Sequence, residues 1–216
     1  MENPEIEFEE YGVKFLANVV KGHKTGYFLD HRHNRQKVGL MSEGKSMLDV
    51  FSYAGGFSAH SIVGGAKEVI SVDISKHALE LAKRNVLLNK TDAPHDIMVS
   101  DAFEAMQQLI NQGKKFDIVV VDPPSFAKMS DDIPAARKSY VRLAKLAINL
   151  AERGGMCVMA SCSSRIGRDE FFDLVEEEFD SQERSYRLIE KPFHDIDHPI
   201  SFPEGSYLKT GYYKID

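Results

Sequence analysis

The sequence predicts an α/β fold built on a seven-stranded, mostly parallel, doubly wound sheet, with a short N-terminal β-hairpin extension. Three observations carry that prediction. From residue 47 onward, short apolar runs alternate with segments of helical periodicity, the pattern of a parallel sheet covered on both faces. Glycine pairs, Gly64-Gly65 and Gly154-Gly155, punctuate the alternation as helix stops. The apolar runs also end, one after another, in acids or small polar residues, and such sheets bind ligands outside the carboxyl ends of their strands.

The elements follow in order. Residues 6–20 alternate enough for a hairpin, through Ile6-Glu7-Phe8 and Val13 to Val19. Residues 21–33 read as a loop, leading into a helix through Gln36 to Met41. Met47 to Phe51 is the first strand of the sheet, followed by the small-residue turn Ser52-Tyr53-Ala54-Gly55-Gly56 and a short helix to Val63. Glu68 to Val72 is a strand ending at Asp73, and a helix runs from Lys76 to Asn89. Asp96 to Val99 is a strand ending near Asp101, with a helix to Gln112. Phe116 to Val121 is a strongly apolar strand ending at Asp122-Pro123-Pro124. A long helix covers Ala135 to Ala151, the glycine pair stops it, and Met156 to Ala160 is the fifth strand. A helix over Asp169 to Phe179 and strands at 186–193 and 207–215 close the chain. Two domains are expected: 1–40 as the β extension with its basic loop and helix, and 41–216 as the sheet domain.

Composition narrows the function. Of 216 residues, 43% are hydrophobic and 28% charged, an ordinary globular balance. No apolar run is long enough for a membrane helix, and the acidic start MENPEIEFEE lacks the regions of a signal peptide, so a cytoplasmic location is expected. The two cysteines, Cys157 and Cys162, make neither a zinc site nor a disulfide framework, and no metal is expected. The net charge of -6 speaks mildly against a broad nucleic-acid surface. Its distribution is uneven, however. From Lys14 to Lys37 there are six cations (Lys14, Lys21, Lys24, Arg32, Arg35, Lys37) against one acid, Asp30, the footprint of a phosphate-binding edge or of a soluble loop. From Asp169 to Glu183 acids alternate with Phe171, Phe172, Val175 and Phe179, as on the wet face of an amphipathic helix.

The polar residues at the strand ends form the candidate site: Asp49 with its glycine turn, Asp73, Asp101, Asp122 and Ser161-Cys162-Ser163. The turn lacks the G-x-G-x-x-G that a dinucleotide pyrophosphate needs, so it suits a ligand without a pyrophosphate. Asp73 is placed to accept both hydroxyls of a ribose, and Asp101 an adenine amino group. Each Asp is alternatively a helix N-cap.

Several segments together resemble the bacterial 23S ribosomal RNA cytosine-5 methyltransferases, which usually carry an N-terminal PUA domain. They are Lys24-Thr25-Gly26-Tyr27-Phe28-Leu29-Asp30-His31-Arg32, Asp49 to Phe57, Val72-Asp73-Ile74-Ser75, Asp122-Pro123-Pro124-Ser125-Phe126, Ser161-Cys162-Ser163, Asp197-His198-Pro199 and Pro203 to Lys209. The resemblance implies a Rossmann-like class I fold and S-adenosyl-L-methionine as cofactor. It implies a cofactor site of Thr25, Asp30, Arg32, Asp49, Phe51, Ser52, Tyr53, Ala54, Gly55, Asp73, Ile74, Ser75, Asp101, Ala102, Asp122 and Pro123, with Arg32 or Arg35 as alternatives for the cofactor's carboxylate. The implied partner is ribosomal RNA. Too few residues precede Lys24 to hold the PUA domain, and His23 and His31 stand where the family more often shows glutamine. A sister family that methylates guanine N7 shares the Lys24–Arg32 region and Asp-Pro-Pro but lacks Ser-Cys-Ser.

Cytosine carbon 5 is a poor nucleophile. A thiolate adding to carbon 6 makes carbon 5 an enamine carbon that attacks a methyl donor, after which a base removes the carbon-5 proton and the thiol leaves. The resemblance makes Cys162 that nucleophile, with Arg165, Arg168 and a following helix N-terminus expected to favour the thiolate. Asp122, ending a neighbouring strand, is expected to hydrogen-bond the ring N3 or the amino group. Phe126 either stacks on a flipped base or packs in the core, and Cys157 is core. Two other readings stand beside this one. One is a methyltransferase of guanine, an exocyclic amine or a small molecule; the other is a non-catalytic module that binds RNA or protein.

Overall fold

The computed structural model describes residues 5–20, 26–202 and 205–216. They form two compact units, Met1–Ser100 and Asp101–Asp216. The sheet is seven-stranded, as the sequence predicts. Its strands are β3 (Ser46–Val50), β4 (Glu68–Asp73), β5 (His95–Val99), β6 (Phe116–Val121), β7 (Ala151–Ser161), β8 (Tyr186–Glu190) and β9 (Lys209–Ile215). Their order is β5-β4-β3-β6-β7-β9-β8, and β9 runs antiparallel to both β7 and β8.

In the first unit, β1 (Glu5–Glu10) and β2 (Val13–Asn18) make the expected hairpin. Tyr11 and Gly12 turn it with φ of 49° and 81°, the left-handed pair that tight hairpins favour. Phe8, Phe15 and Tyr27 pack beneath it with ring centroids 4.9–5.5 Å apart. Helices α1 (Arg32–Leu40), α2 (Gly56–Val63) and α3 (Lys76–Leu88) follow. Ser75 caps α3 by accepting from the Ala78 amide. The start of α1 lies before the expected Gln36, because Asn34 and Arg35 turn inward and their polarity hid the helix. Two asparagines of the α3 region tie the hairpin down. The Leu16 amide donates to Asn85 Oδ1 at 2.8 Å, and Asn89 both accepts from the Lys14 amide and donates to its carbonyl.

In the second unit, β6 and β7 pair in parallel, with Val121 opposite Met159. Helices α4 (Ala102–Asn111), α5 (Ile133–Leu150) and α6 (Arg168–Ser181) accompany them. The expected helix stop at Gly154-Gly155 is instead part of β7, which already starts at Ala151. Phe116 pairs with Ala151 and Ile118 with Met156, so the glycines sit in a bulge, where Gly154 adopts φ 75°. The last strands are shorter than the sequence suggests. β8 ends at Glu190, before Pro192, and β9 begins at Lys209. No helix is long and apolar enough to cross a membrane among the described residues.

Candidate active site

The first unit holds a strained turn. After Asp49 and Val50 the chain enters the left-handed region at Phe51 (φ 65°), Tyr53 (φ 47°) and Gly55 (φ 72°). Two of these are bulky, and such residues are held there only by surroundings that over-determine them. Those surroundings are specific. The Ser52 amide donates to Val72 O at 3.0 Å and the Tyr53 amide to Asp73 Oδ2 at 2.9 Å. Asn85 Nδ2 donates to Ala54 O at 2.8 Å. A Cβ at Gly55 would meet that of Ala82 at 2.7 Å, so only glycine passes there.

Asp49 is 1% exposed and holds the start of α2, accepting from the Ser58 amide at 3.1 Å and the Ser58 hydroxyl at 2.6 Å. Ser58 shares a hydrogen bond with Ser71, and Ser71 with His95 Nε2, so one polar chain crosses β3, β4 and β5. Burial pushes His95 down to about 4, which keeps the imidazole neutral at pH 7.

Asp73 ends β4 half-buried. Its Oδ1 accepts from the Ser75 amide at 2.8 Å, and each oxygen keeps a further lone pair able to receive a ribose hydroxyl. Ile74 beside it is 75% exposed, an apolar surface next to that carboxylate. The Ser52 hydroxyl is buried without a hydrogen-bond partner among the described residues. An orphaned hydroxyl inside a strained turn fits a ligand that completes it.

Thr25 lies outside the described residues, as do Lys21, His23, Lys24, Pro203 and Glu204. Asp30 and Arg32 are half-buried at the entry to α1. Phe28, just before them, packs edge-on against Tyr53 with centroids 5.4 Å apart, bringing this segment to the turn. Arg35 corrects an expectation. It is 3% exposed, and its Nε and Nη2 each donate to a Glu10 oxygen at 2.7 Å. Nη2 also donates to Phe28 O. It is a buried structural cation and cannot track an RNA backbone.

The second unit holds Cys162. Asp101 caps α4, its Oδ1 accepting from the Phe103 and Glu104 amides, and Ala102 is the buried first residue of that helix. Asp122 follows β6 half-buried, and Cys162 follows β7. The Cys162 thiol lies 3.5 Å from Pro123 O and donates to it. The sulfur and the Asp122-Pro123 rim therefore meet at the carboxyl ends of two paired strands. Ser161 fixes the approach: its hydroxyl pairs with Tyr140 at 2.9 Å and accepts from the Ser163 amide at 3.3 Å.

The cations expected beside Cys162 are engaged elsewhere. Arg165 donates to Lys128 O and Ser130. Arg168 donates to Pro192 O and Lys191 O and lies over the rings of Phe172 and Phe193. The buried cation on this loop is Lys209, whose Nζ donates to Ser163 O and, at 2.8 Å, to Ile166 O. Phe126 is half-buried and packs edge-on against Tyr140 at 5.3 Å. Cys157 is fully buried in β7, and burial pushes its thiol up to about 12.

Lys209, Tyr140 and Asn85 were not singled out from the sequence. Asn85 carried a signal, since it occupies the apolar stripe Ala78, Leu79, Ala82, Asn85, Val86 of α3. Lys209 carried one too, as a charge opening the otherwise neutral run Thr210 to Tyr213.

A family profile described as S-adenosylmethionine-dependent methyltransferase matches residues 3–209. A Deinococcus radiodurans protein named ribosomal RNA large subunit methyltransferase is 39% identical over 212 residues, covering 98% of this chain and 52% of its own length. A Cronobacter sakazakii protein named ribosomal RNA large subunit methyltransferase I is 39% identical over 207 residues, covering 94% and 52% respectively. The chain thus spans about half the length of the curated relatives it matches. Among solved structures, a Streptococcus mutans S-adenosylmethionine-dependent methyltransferase superposes with a TM-score of 0.88 at 24% identity, covering 99% of this chain and 56% of that one. That likeness speaks for the fold.

Proposed function

The chain belongs to the S-adenosylmethionine-dependent methyltransferases, and we propose that it methylates carbon 5 of a cytosine in large-subunit ribosomal RNA through a transient Cys162 adduct. The observation that carries the reading is the 3.5 Å contact of the Cys162 thiol with Pro123 O, which places the one partly exposed thiol against the Asp122-Pro123-Pro124 rim. The names of the relatives support ribosomal RNA as the substrate class.

The cofactor fits the residues present. The family match, the orphaned Ser52 hydroxyl and the Asp73 carboxylate beside exposed Ile74 support a site made of the Asp49–Gly56 turn with Asp73, Ile74 and Ser75. Asp30 and Arg32 are proposed cofactor contacts of the first unit, and Asp101, Ala102, Asp122 and Pro123 of the second. When bound, S-adenosylmethionine supplies an electrophilic methyl group. The rest is protein chemistry. Cys162, as thiolate, adds to carbon 6 of the base and makes carbon 5 nucleophilic. Asp122 holds the ring N3 or the exocyclic amine, orienting the base and favouring the protonated adduct. Pro123 and Pro124 fix the rim on which it lies. Loss of the carbon-5 proton to a base then expels the thiolate and restores the aromatic ring.

The test uses ribosomal RNA from a host lacking the modification, labelled cofactor and nucleoside mass spectrometry. Wild type is expected to yield 5-methylcytidine. Cys162→Ser should lose methylation by at least about 100-fold, because a serine alkoxide is scarcely present at neutral pH. Cys157→Ser should remain active, with stability reduced by about 1–3 kcal/mol for a hydroxyl in a buried strand. RNA carrying 5-fluorocytidine should trap an adduct on Cys162. Methylation that survives in Cys162→Ser, on guanine or an amine, would replace this reading with the rival one.

A further inference from the structure

We propose that Lys209 is a positioning residue for Cys162: its buried ammonium clamps the loop that carries the thiol and supplies the cation that favours the thiolate. The inference rests on the cytosine reading in taking Cys162 as the nucleophile. Lys209 opens β9 directly opposite Ser161, the last residue of β7, and is 0% exposed. Its Nζ reaches across to Ser163 O and Ile166 O, one residue and four residues beyond Cys162. The start of the same loop is pinned by the Ser161 to Tyr140 hydrogen bond. The segment bearing the sulfur is therefore held at both ends.

A neutral donor would satisfy two carbonyls, so the clamp alone does not explain a charge. An ammonium withdrawn from water is costly without a counter-charge, and no carboxylate lies within ion-pair distance of Lys209 among the described residues. Of the negative groups that act on it, a Cys162 thiolate has the larger effect and Glu170 the smaller. The charged and titratable groups facing this pair are Asp122 beyond β6, the neutral phenol of Tyr140 of α5, and Arg168 and Glu170 of α6. Asp122 opposes a second negative charge, which makes a compensating cation necessary. Arg165 and Arg168 are tied to other carbonyls, and Lys209 takes the part the sequence had suggested for them. Burial pushes Lys209 down to about 8, while the Cys162 sulfur pulls it up.

The test reads thiol ionisation directly, without RNA or cofactor. The intact protein is alkylated with iodoacetamide over a range of pH, and Cys162 and Cys157 are followed separately by peptide mass spectrometry. Wild-type Cys162 is expected to inflect clearly below the ordinary thiol value of about 8.5, with buried Cys157 as the unreactive control. Lys209→Gln, which keeps a donor and removes the charge, should raise that inflection by about one unit and slow alkylation at pH 7 roughly ten-fold. Lys209→Arg should restore the low inflection. Circular dichroism checks that each variant is folded. A folded Lys209→Gln protein with an unchanged inflection overturns the proposal, because a purely structural clamp would lower stability and leave the inflection in place. If the Gln variant does not fold, the wild-type value and Lys209→Arg decide: an inflection near 8.5 in either overturns it. Failure of the cytosine reading is seen elsewhere, as methylation by Cys162→Ser.

Discussion

Asp73 offers the most direct test of the cofactor site, because its carboxylate has two jobs. It accepts from the Tyr53 amide at 2.9 Å and the Ser75 amide at 2.8 Å, and it is the proposed acceptor for two ribose hydroxyls. A hydrogen bond to a charged group contributes about 1.5–3 kcal/mol; half-buried, Asp73 belongs at the lower end. Asp73→Asn keeps one acceptor oxygen and turns the other into a donor, so one ribose bond and one of the two backbone-amide bonds are lost and affinity should fall at least about ten-fold. Asp73→Ala loses both, and also frees the Tyr53 amide that holds a left-handed residue (φ 47°). Affinity should then fall roughly 100-fold or more, with stability reduced by about 1–3 kcal/mol. Isothermal titration calorimetry with S-adenosylhomocysteine measures the first quantity and urea unfolding the second. A folded Asp73→Ala protein that binds the nucleoside with unchanged affinity would refute the assignment, and tight binding of NAD by wild type would do the same.

The remaining predictions concern the N-terminal unit. Glu10 is buried and accepts from Arg35 and His60; burial raises its pKa, but these hydrogen bonds outweigh it and hold the carboxyl at about 2, down from 4.5. A depressed folded-state pKa stabilises above the unfolded value and the gain is lost as pH falls, so Glu10→Gln should cost roughly 3 kcal/mol at pH 7. Its urea midpoint should converge on that of wild type between pH 4.5 and about 2; an equal deficit at both ends of that range contradicts the argument. If the basic segment meets RNA, Lys14→Ala and Arg32→Ala should each flatten the dependence of log affinity on log salt by about 0.7–0.9. Arg35→Met should lower stability and leave that slope alone, and a salt-independent affinity would remove the electrostatic argument.

Much of the architecture was legible in the chain because it rests on short-range rules. Short apolar runs set between helical segments placed all seven strands of the sheet. Ser52 to Gly56 was recognisable as a turn from its small residues, and Cys157 as core from its neighbours Met156 and Val158. What misled was ambiguity in single residues. Gly154-Gly155 stops a helix or makes a bulge with equal ease, and only the pairing of Ile118 with Met156 decides. Asn34 and Arg35 disguised the start of α1, since a charged residue looks exposed until its partner is known.

Partners distant in sequence are what only the tertiary structure decided. Arg35 was one of six cations in a basic run until Glu10, 25 residues away, turned it into a buried ion pair. Cys162 had two nearby arginines by sequence, yet its loop is held by Lys209, 46 residues from the Ser163 carbonyl it binds. Local pattern fixes which face a residue presents, because strand and helix periods are set by the backbone itself. Which charge answers which is set by strand order and by burial, where a low dielectric makes each unpaired group costly and each pairing specific.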